Sequence, residues 1–393
     1  MNPAQARVLV VDDIDENRDI LVRRLRRLGV VHIEQAVNGR EALAAISEHE
    51  FDLVLLDIMM PEVDGFEVLR QLSEAGKLTD LPVIVISALN DMDPVVRCIE
   101  MGAEDFVLKP FNATLLRARI LATLEKKMLR DSMRQELQRK QIELNDARSL
   151  QLALVPSDYR GSHHGHDISI DIVLEPAKEV GGDLVDYFLV GDDMLVMLIG
   201  DVSGKGAAAG LMMARTQALF RGLLSRPDVV EVFGQPERAA GMVHSILSRG
   251  NDSCMFVTML LATLNLRSGE LSYVRAGHVE PFLIRADGAV ARLACSGGLP
   301  FGLMDEDFGY ESTTVQLETN DQLLVVTDGV TEAMAPGEDM FGDDRVTEFL
   351  VAHTRMPLLP GLVGAVREFE AGLAAFDDLA AIHLRFDAPD RPR

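Results

Sequence analysis

The chain has 393 residues, 48% of them apolar and 25% charged, a balance that suits two or three globular domains. Its net charge of −24 is uneven, at −10 over residues 1–112, +4 over 113–155 and −18 over 156–393, and such acidic bodies repel a phosphate backbone, which excludes nucleic acid as a partner. No apolar run approaches the ~18 residues of a membrane span, the opening "MNPAQARVLVVDD" lacks the apolar stretch of a signal peptide, and three cysteines (Cys98, Cys254 and Cys295) suit a reducing cytoplasm rather than a disulfide scaffold.

Residues 7–112 alternate short apolar runs with helical patterns. "ARVLVVDD", "FDLVLLD", "LPVIVISA" and "DFVLKP" read as buried parallel strands, nearly continuous in apolar residues and ending in polar ones. "NRDILVRRLRRLG" and "GREALAAISEH" have helical spacing. This alternation predicts a doubly wound α/β domain with its site at the carboxyl ends of the strands.

Residues 113–155 contain no glycine and are rich in strong helix formers, which predicts one long connecting helix. Met133, Leu137, Leu144, Ala147 and Leu154 fit a heptad seam, on which Lys140 and Gln151 also fall. An imperfect coiled coil pairing two chains and a monomeric linker lying on its neighbours both fit that pattern.

Residues 156–386 carry nine strand candidates: "DISIDIVLEP", "DLVDYFLV", "MLVMLIGD", "FVTMLLATLNL", "ELSYVRAG", "EPFLIRA", "AVARLA", "DQLLVVTD" and "LAAIHLRF". Helical patterns lie at 206–225, 237–249, 343–354 and 361–373, so the segment reads as α+β, with a short tail at 387–393. The "SHHGH" stretch, His163, His164 and His166, reads as a solvated loop, because no cysteine or carboxylate spacing matches it to a metal.

Two groups of residues carry chemistry. Asp12 and Asp13 end the first strand, Asp57 ends the third, and Ser87 and Lys109 follow at the ends of the fourth and fifth. In a parallel sheet all five gather on one edge. Three carboxylates so close require a cation, and oxygen ligands favour Mg²⁺. Such a site can attach a phosphoryl group to a carboxylate.

"VDD", "LLDIMMPEVDGFE", "ISA" and "LKPF" give residues 1–122 a close resemblance to the flavodoxin-like receiver domain of two-component response regulators. The resemblance implies that a histidine kinase phosphorylates Asp57. It makes Asp12, Asp13, Asp57 and the Met59 backbone carbonyl the Mg²⁺ site. Ser87, Phe106 and Lys109 become the switch residues, and Lys109–Pro110 a cis peptide.

The second group is Asp183 in "VGGDLVD", Asp201 in "IGDVSGKG", Asp328 in "VVTDGVTEA" and Asp377 in "FDDLAAI". "GDVSGKGAAAG" invites comparison with a phosphate-binding loop, but Ile199 stands where the first glycine belongs and no hydroxyl follows Lys205. "GGDLV" likewise lacks the next acid of a diguanylate cyclase loop, having Leu184 there. Four carboxylates with no cysteine or histidine among them point instead to Mg²⁺ or Mn²⁺ and to attack on phosphorus.

"SLQLALVPS", "GGDLVDYF", "GDVSGKGAAAGLMMA", "AGHVEPFL" and "LLVVTDGVTEA" give residues 150–386 a resemblance to the protein phosphatase 2C (PPM) family, in its bacterial sporulation and stress-signalling branch, with the phosphatase domain itself over 156–386. That implies an α-β-β-α sandwich and a serine/threonine phosphatase with two Mn²⁺ or Mg²⁺ ions. Asp201 would bridge them, Asp183 and the Val202 backbone carbonyl would serve one, and Asp328 and Asp377 the other. The implied substrate is a phosphorylated STAS-type antagonist of an anti-sigma factor. Ala380 replaces the family's usual threonine after the final acidic pair. The whole reads as a cytoplasmic, multi-domain response regulator. A non-enzymatic adaptor under phosphorylation control is the alternative, although an adaptor would have no need of all four acids.

Overall fold

The computed structural model describes residues 5–88, 92–303, 309–337, 339–353 and 357–389, without the side chains of 88 and 92–95. It divides into two compact units, Met1–Lys140 and Gln141–Arg393. No described helix is long and apolar enough to cross a membrane.

The first unit holds five parallel strands: β1 (Arg7–Val11), β2 (His32–Ala36), β3 (Leu53–Asp57), β4 (Val83–Ala88) and β5 (Asp105–Lys109), in the order β2-β1-β3-β4-β5. Helices α1 (Asp15–Arg27), α2 (Gly39–Glu48), α3 (Gly65–Glu74) and α4 (Met92–Glu100) separate them. Both faces of the sheet are covered, which is why β1 is apolar from Val8 to Val11. Leu9 and Val11 pack with Ala42, Ile46 and Leu69, whereas Val8 and Val10 pack with Leu21, Leu25, Leu116 and Ile120. Strand order reverses between β1 and β3, the place where such sheets carry their sites.

Helix α5 runs unbroken over Ala113–Leu152. Its predicted seam is not a continuous stripe. Met133 and Leu137 are exposed, Leu144 and Ala147 are half-buried, and Gln151, expected as a polar seam residue, is buried and hydrogen-bonded.

The second unit is a four-layer α-β-β-α sandwich. One antiparallel sheet contains β8 (Leu184–Val190), β9 (Met194–Val202), β10 (Val257–Asn265), β11 (Glu270–Ala276) and β14 (Thr313–Gln316), in the order β14-β11-β10-β9-β8. The other contains β6 (Tyr159–His163), β7 (His166–Glu175), β12 (Phe282–Ile284), β13 (Val290–Arg292), β15 (Asp321–Val326) and β16 (Leu379–Asp387), in the order β13-β12-β15-β16-β7-β6. Helices α6 (Ala207–Leu223), α7 (Val229–Gly234) and α8 (Pro236–Ser248) cover the first sheet. Helices α9 (Asp328–Thr331), α10 (Gly342–Ala352) and α11 (Leu358–Glu370) cover the second. Along β16 the alternation is clean: Ala380, Ile382 and Leu384 face the other sheet, while Leu379 and Ala381 face the helices.

The histidine-rich stretch corrects the reading of a solvated loop. His163 and His166 close the β6–β7 hairpin, with His164 and Gly165 at its turn. The Tyr159 hydroxyl lies 2.6 Å from His163 Nε2, His164 pairs with Asp193, and the His166 ring stacks on Phe386 at 4.2 Å. The three rings thus belong to a packed hairpin rather than to a loop in solvent.

Candidate functional site

In the first unit, parallel register delivers the expected residues to one edge. Asp57 pairs with Ile86 across β3–β4, and Ser87 pairs with Leu108 across β4–β5, one residue before Lys109. Asp12 and Asp57 are buried and Asp13 is exposed, and one oxygen from each can lie within 4.8 Å of the others, the span of a single hard ion's ligand set. Lys109 Nζ stands 2.8 Å from Asp57 Oδ2 and 2.9 Å from Asp12 Oδ2. Burial pushes the Asp57 carboxyl up from its ordinary range, against the pull of Lys109 and of the Met59 backbone amide. The Ile14 amide and the Asn17 side chain, at 3.0 and 3.1 Å, fix Asp12 Oδ1. Gly65 is required behind Asp57, because a β-carbon there would meet the Asp57 carbonyl. Ser87 is buried, Phe106 is half-buried with the Arg119 guanidinium 5.9 Å from its ring centre, and Lys109–Pro110 is cis.

In the second unit each sheet contributes two acids. Asp183 precedes β8 and Asp201 lies near the end of β9. Asp328 follows β15 and Asp377 precedes β16. The β8–β9 and β15–β16 pairs are both antiparallel, so each brings its two acids to a common end. Burial, then repulsion from Asp201, holds the Asp183 carboxyl far above its usual range. Burial, then the charges of Asp328 and Asp377, pushes Asp201 up to about 7. Asp328 is raised by burial, Glu332 and Asp377. Asp201 therefore stands electrostatically in the middle of the four. Among the described residues only the trio in the first unit brings three candidate ligand atoms within 4.8 Å, so this second cluster is the more open one.

Glycines let the backbone crowd in. A β-carbon on Gly182 would lie 3.0 Å from the Val202 carbonyl oxygen and 3.2 Å from Asp201 Oδ1. One on Gly329 would collide with the Asp378 carbonyl. The donor set consists of carboxylates and a carbonyl, in a buried place where their mutual repulsion is relieved by a hard dication. The residues present thus fit Mg²⁺ or Mn²⁺.

Four residues here escaped sequence reasoning. Thr327 donates to Asp183 Oδ2 at 2.8 Å and accepts from the Ala380 amide at 3.0 Å, bridging the acids of the two sheets. Ala380 faces the core between the sheets, so a hydroxyl comes to Asp183 from Thr327 instead. Asp378 turns inward and accepts the Ala177 and Gly182 amides at 2.8 and 2.6 Å, which leaves Asp377 as the outward member of the pair. Lys205 lies 2.9 Å from Asp377 Oδ2 and donates to the Phe376 carbonyl at 2.7 Å. Gln151 is the fourth. Only its neighbours in space, not its spacing in sequence, reveal it.

His278 is buried, with Nδ1 3.2 Å from the Thr258 hydroxyl. Burial and the Arg275 charge lower its pKa to about 3, which keeps it neutral and structural.

A doubly wound sheet with a carboxylate-lysine edge, joined by one long helix to an acid-bearing α-β-β-α sandwich, is the architecture of a receiver domain followed by a PP2C-type domain. The chain belongs to the Stage II sporulation protein E (SpoIIE) family, whose model matches residues 191–387, and a response regulator receiver domain matches residues 8–121. Protein IcfG of Synechocystis sp. is 31% identical over 205 residues, covering 47% of this chain and 32% of that protein. Response regulator PleD of Caulobacter vibrioides is 37% identical over 130 residues, covering 33% of this chain and 28% of that protein. The chain thus spans a third or less of either relative. The SiaA-PP2C domain of Pseudomonas aeruginosa superposes with a TM-score of 0.52 at 21% identity, over 64% of this chain and 99% of that domain. At that identity the likeness concerns the fold.

Proposed function

We propose that a histidine kinase phosphorylates Asp57 and thereby controls a phosphoserine/phosphothreonine protein phosphatase built on Asp183, Asp201, Asp328 and Asp377. The observation that carries the reading is the convergence of two acids from each sheet around Asp201, whose carboxyl is pushed up to about 7 by burial and like charge. Asp201 and the Val202 carbonyl, with Asp183 beside them, are suited to one ion, and Asp328 and Asp377 to a second. Mg²⁺ or Mn²⁺ bound there would supply Lewis-acid polarisation of the phosphoryl group and of water. The chain's own part is positional. Thr327 orients Asp183, Asp378 pins the glycine loop, and the glycines admit the backbone.

In the receiver, Asp12, Asp13, Asp57 and the Met59 carbonyl are assigned to Mg²⁺, and Ser87 and Lys109 to the phosphoryl oxygens. Phe106 is assigned to the switch. The substrate class is a STAS-type anti-sigma-factor antagonist, met in the cytoplasm. The exposed Met133 and Leu137, one turn apart on the same face of α5, support pairing of two chains through that helix.

The test is release of phosphate from a phosphoserine protein by the full chain with Mn²⁺, with and without beryllofluoride. Turnover that beryllofluoride changes in the parent but not in Asp57→Ala is the expected result. No Mn²⁺-dependent turnover in a folded sample would overturn the enzyme, and an identical beryllofluoride response in both chains would overturn the control.

A further inference from the structure

The last turn of α5 is tied to the loop that carries Asp183. Gln151 is only 5% exposed, unusual for a side chain on the predicted seam of a linker helix. Its amide nitrogen donates to the Gly181 carbonyl at 2.8 Å, and its amide oxygen accepts from the Gly181 N–H at 3.0 Å. Gly181 lies outside every strand, so one side chain satisfies both backbone groups of a residue that has no sheet neighbour. Gly181 cannot carry a β-carbon, because the Asp378 carboxylate occupies that space. The next amide, that of Gly182, donates to Asp378 at 2.6 Å, and Gly182 itself rests against Asp201 Oδ1 and the Val202 carbonyl. Asp183 follows immediately. The loop is therefore held from two directions, by Asp378 from the end of the second sheet and by Gln151 from the helix.

We propose that Gln151 is a positioning residue for the second acidic cluster: it holds Gly181–Asp183 in the conformation that sets Asp183 beside Asp201, and so fixes the affinity of that cluster for a divalent cation from the end of α5. This rests on the proposed function only for what the cation then does. Leucine at 151 would fill similar space but leave the Gly181 N–H and C=O buried without partners, and the loop relaxes to find them. Gln217 supplies the control. It too is buried and donates at the same end of the helix, to the Leu154 carbonyl at 2.9 Å, and to Asp186 at 3.0 Å, but it makes no hydrogen bond to Gly181.

The experiment is Mn²⁺ titration by calorimetry on the full chain carrying Asp13→Ala, which removes the receiver's ion from the signal. Gln151→Leu is expected to weaken Mn²⁺ binding about tenfold or more, with KM for a phosphoserine protein unchanged at saturating Mn²⁺. Gln217→Leu should lower Tm and leave Mn²⁺ affinity within about twofold. Gln151→Glu keeps the acceptor and loses the donor, so it should fall between parent and leucine. If Gln151→Leu binds Mn²⁺ like its parent, or if both leucine variants weaken binding equally, Gln151 is a brace like any other and the proposal fails. Because Mn²⁺ affinity is read directly, a chain that binds the ion and hydrolyses nothing would overturn the proposed function and leave this inference standing.

Discussion

The two acidic clusters solve one electrostatic problem differently. In the receiver, Lys109 reaches into the cluster and touches both buried carboxylates, Asp12 and Asp57. In the second unit, Lys205 touches the outward acid, Asp377, and among the described residues no ammonium pairs with the buried Asp183 or the half-buried Asp201. The receiver thus carries part of its counter-charge with it, whereas the sandwich must obtain most of it from solution. On the proposed function, a site that accepts one phosphoryl group would keep a resident cation, whereas a cluster that holds two dications would be better without one.

The largest expected effect tests the centre of that contrast. Asp201→Ala should reduce kcat by about 10³-fold at saturating Mn²⁺, a loss of about 4 kcal/mol of transition-state stabilisation, while beryllofluoride binding to the receiver is unchanged. Loss of less than about tenfold would place the centre elsewhere. Next, Lys109→Met removes the ammonium that pairs with two buried carboxylates and should destabilise the metal-free receiver by about 3 kcal/mol, measured by denaturant unfolding. A destabilisation below 1 kcal/mol would show that the receiver fold does not depend on this ammonium.

A third effect separates the units by pH. Unfolded His278 takes up a proton below about 6.5, whereas folded His278 resists protonation down to about 3. Its contribution is complete above pH 6.5 and is lost as pH falls toward 3, about 2 kcal/mol by pH 5. The receiver's histidines, His32 and His49, are exposed. Acid unfolding of the second unit should therefore flatten in His278→Gln, and an unchanged slope would rule this histidine out. The smallest effect is that of Lys205→Met. The partners are about a third exposed, so the pair contributes less than about 1 kcal/mol. A Tm shift as large as that of Lys109→Met would erase the distinction between the two clusters.

Strands buried on both faces were legible because apolar residues run through them, and their terminal acids came with them. Three edge strands were not, although the more apolar edge strands β5 and β8 were. β2 (HIEQA), β6 (YRGSH) and β14 (TTVQ) sit at the margins of their sheets and carry few apolar side chains, so they lack the signal that reveals β1 or β9. The short α7 and the charged faces of α3 and α4 went unread for similar reasons. Within the site, sequence could supply the "DD" of Asp377 and Asp378 but not their opposite directions, which depend on amides from Ala177 and Gly182, nearly 200 residues away. Thr327 was hidden in the same way, since its partners come from two other segments.

The division of the four acids between two sheets makes the sandwich a caliper. Its jaws are the ends of β8–β9 and β15–β16, and its setting is the thickness of apolar packing between them, where Val185, Ile199, Leu323, Val325 and Ile382 meet. Close-packed interiors transmit a change of volume to their surroundings instead of absorbing it. Widening or narrowing that filling by one methylene would move one pair of carboxylates against the other, and metal spacing would become a property inherited from residues that never meet the substrate.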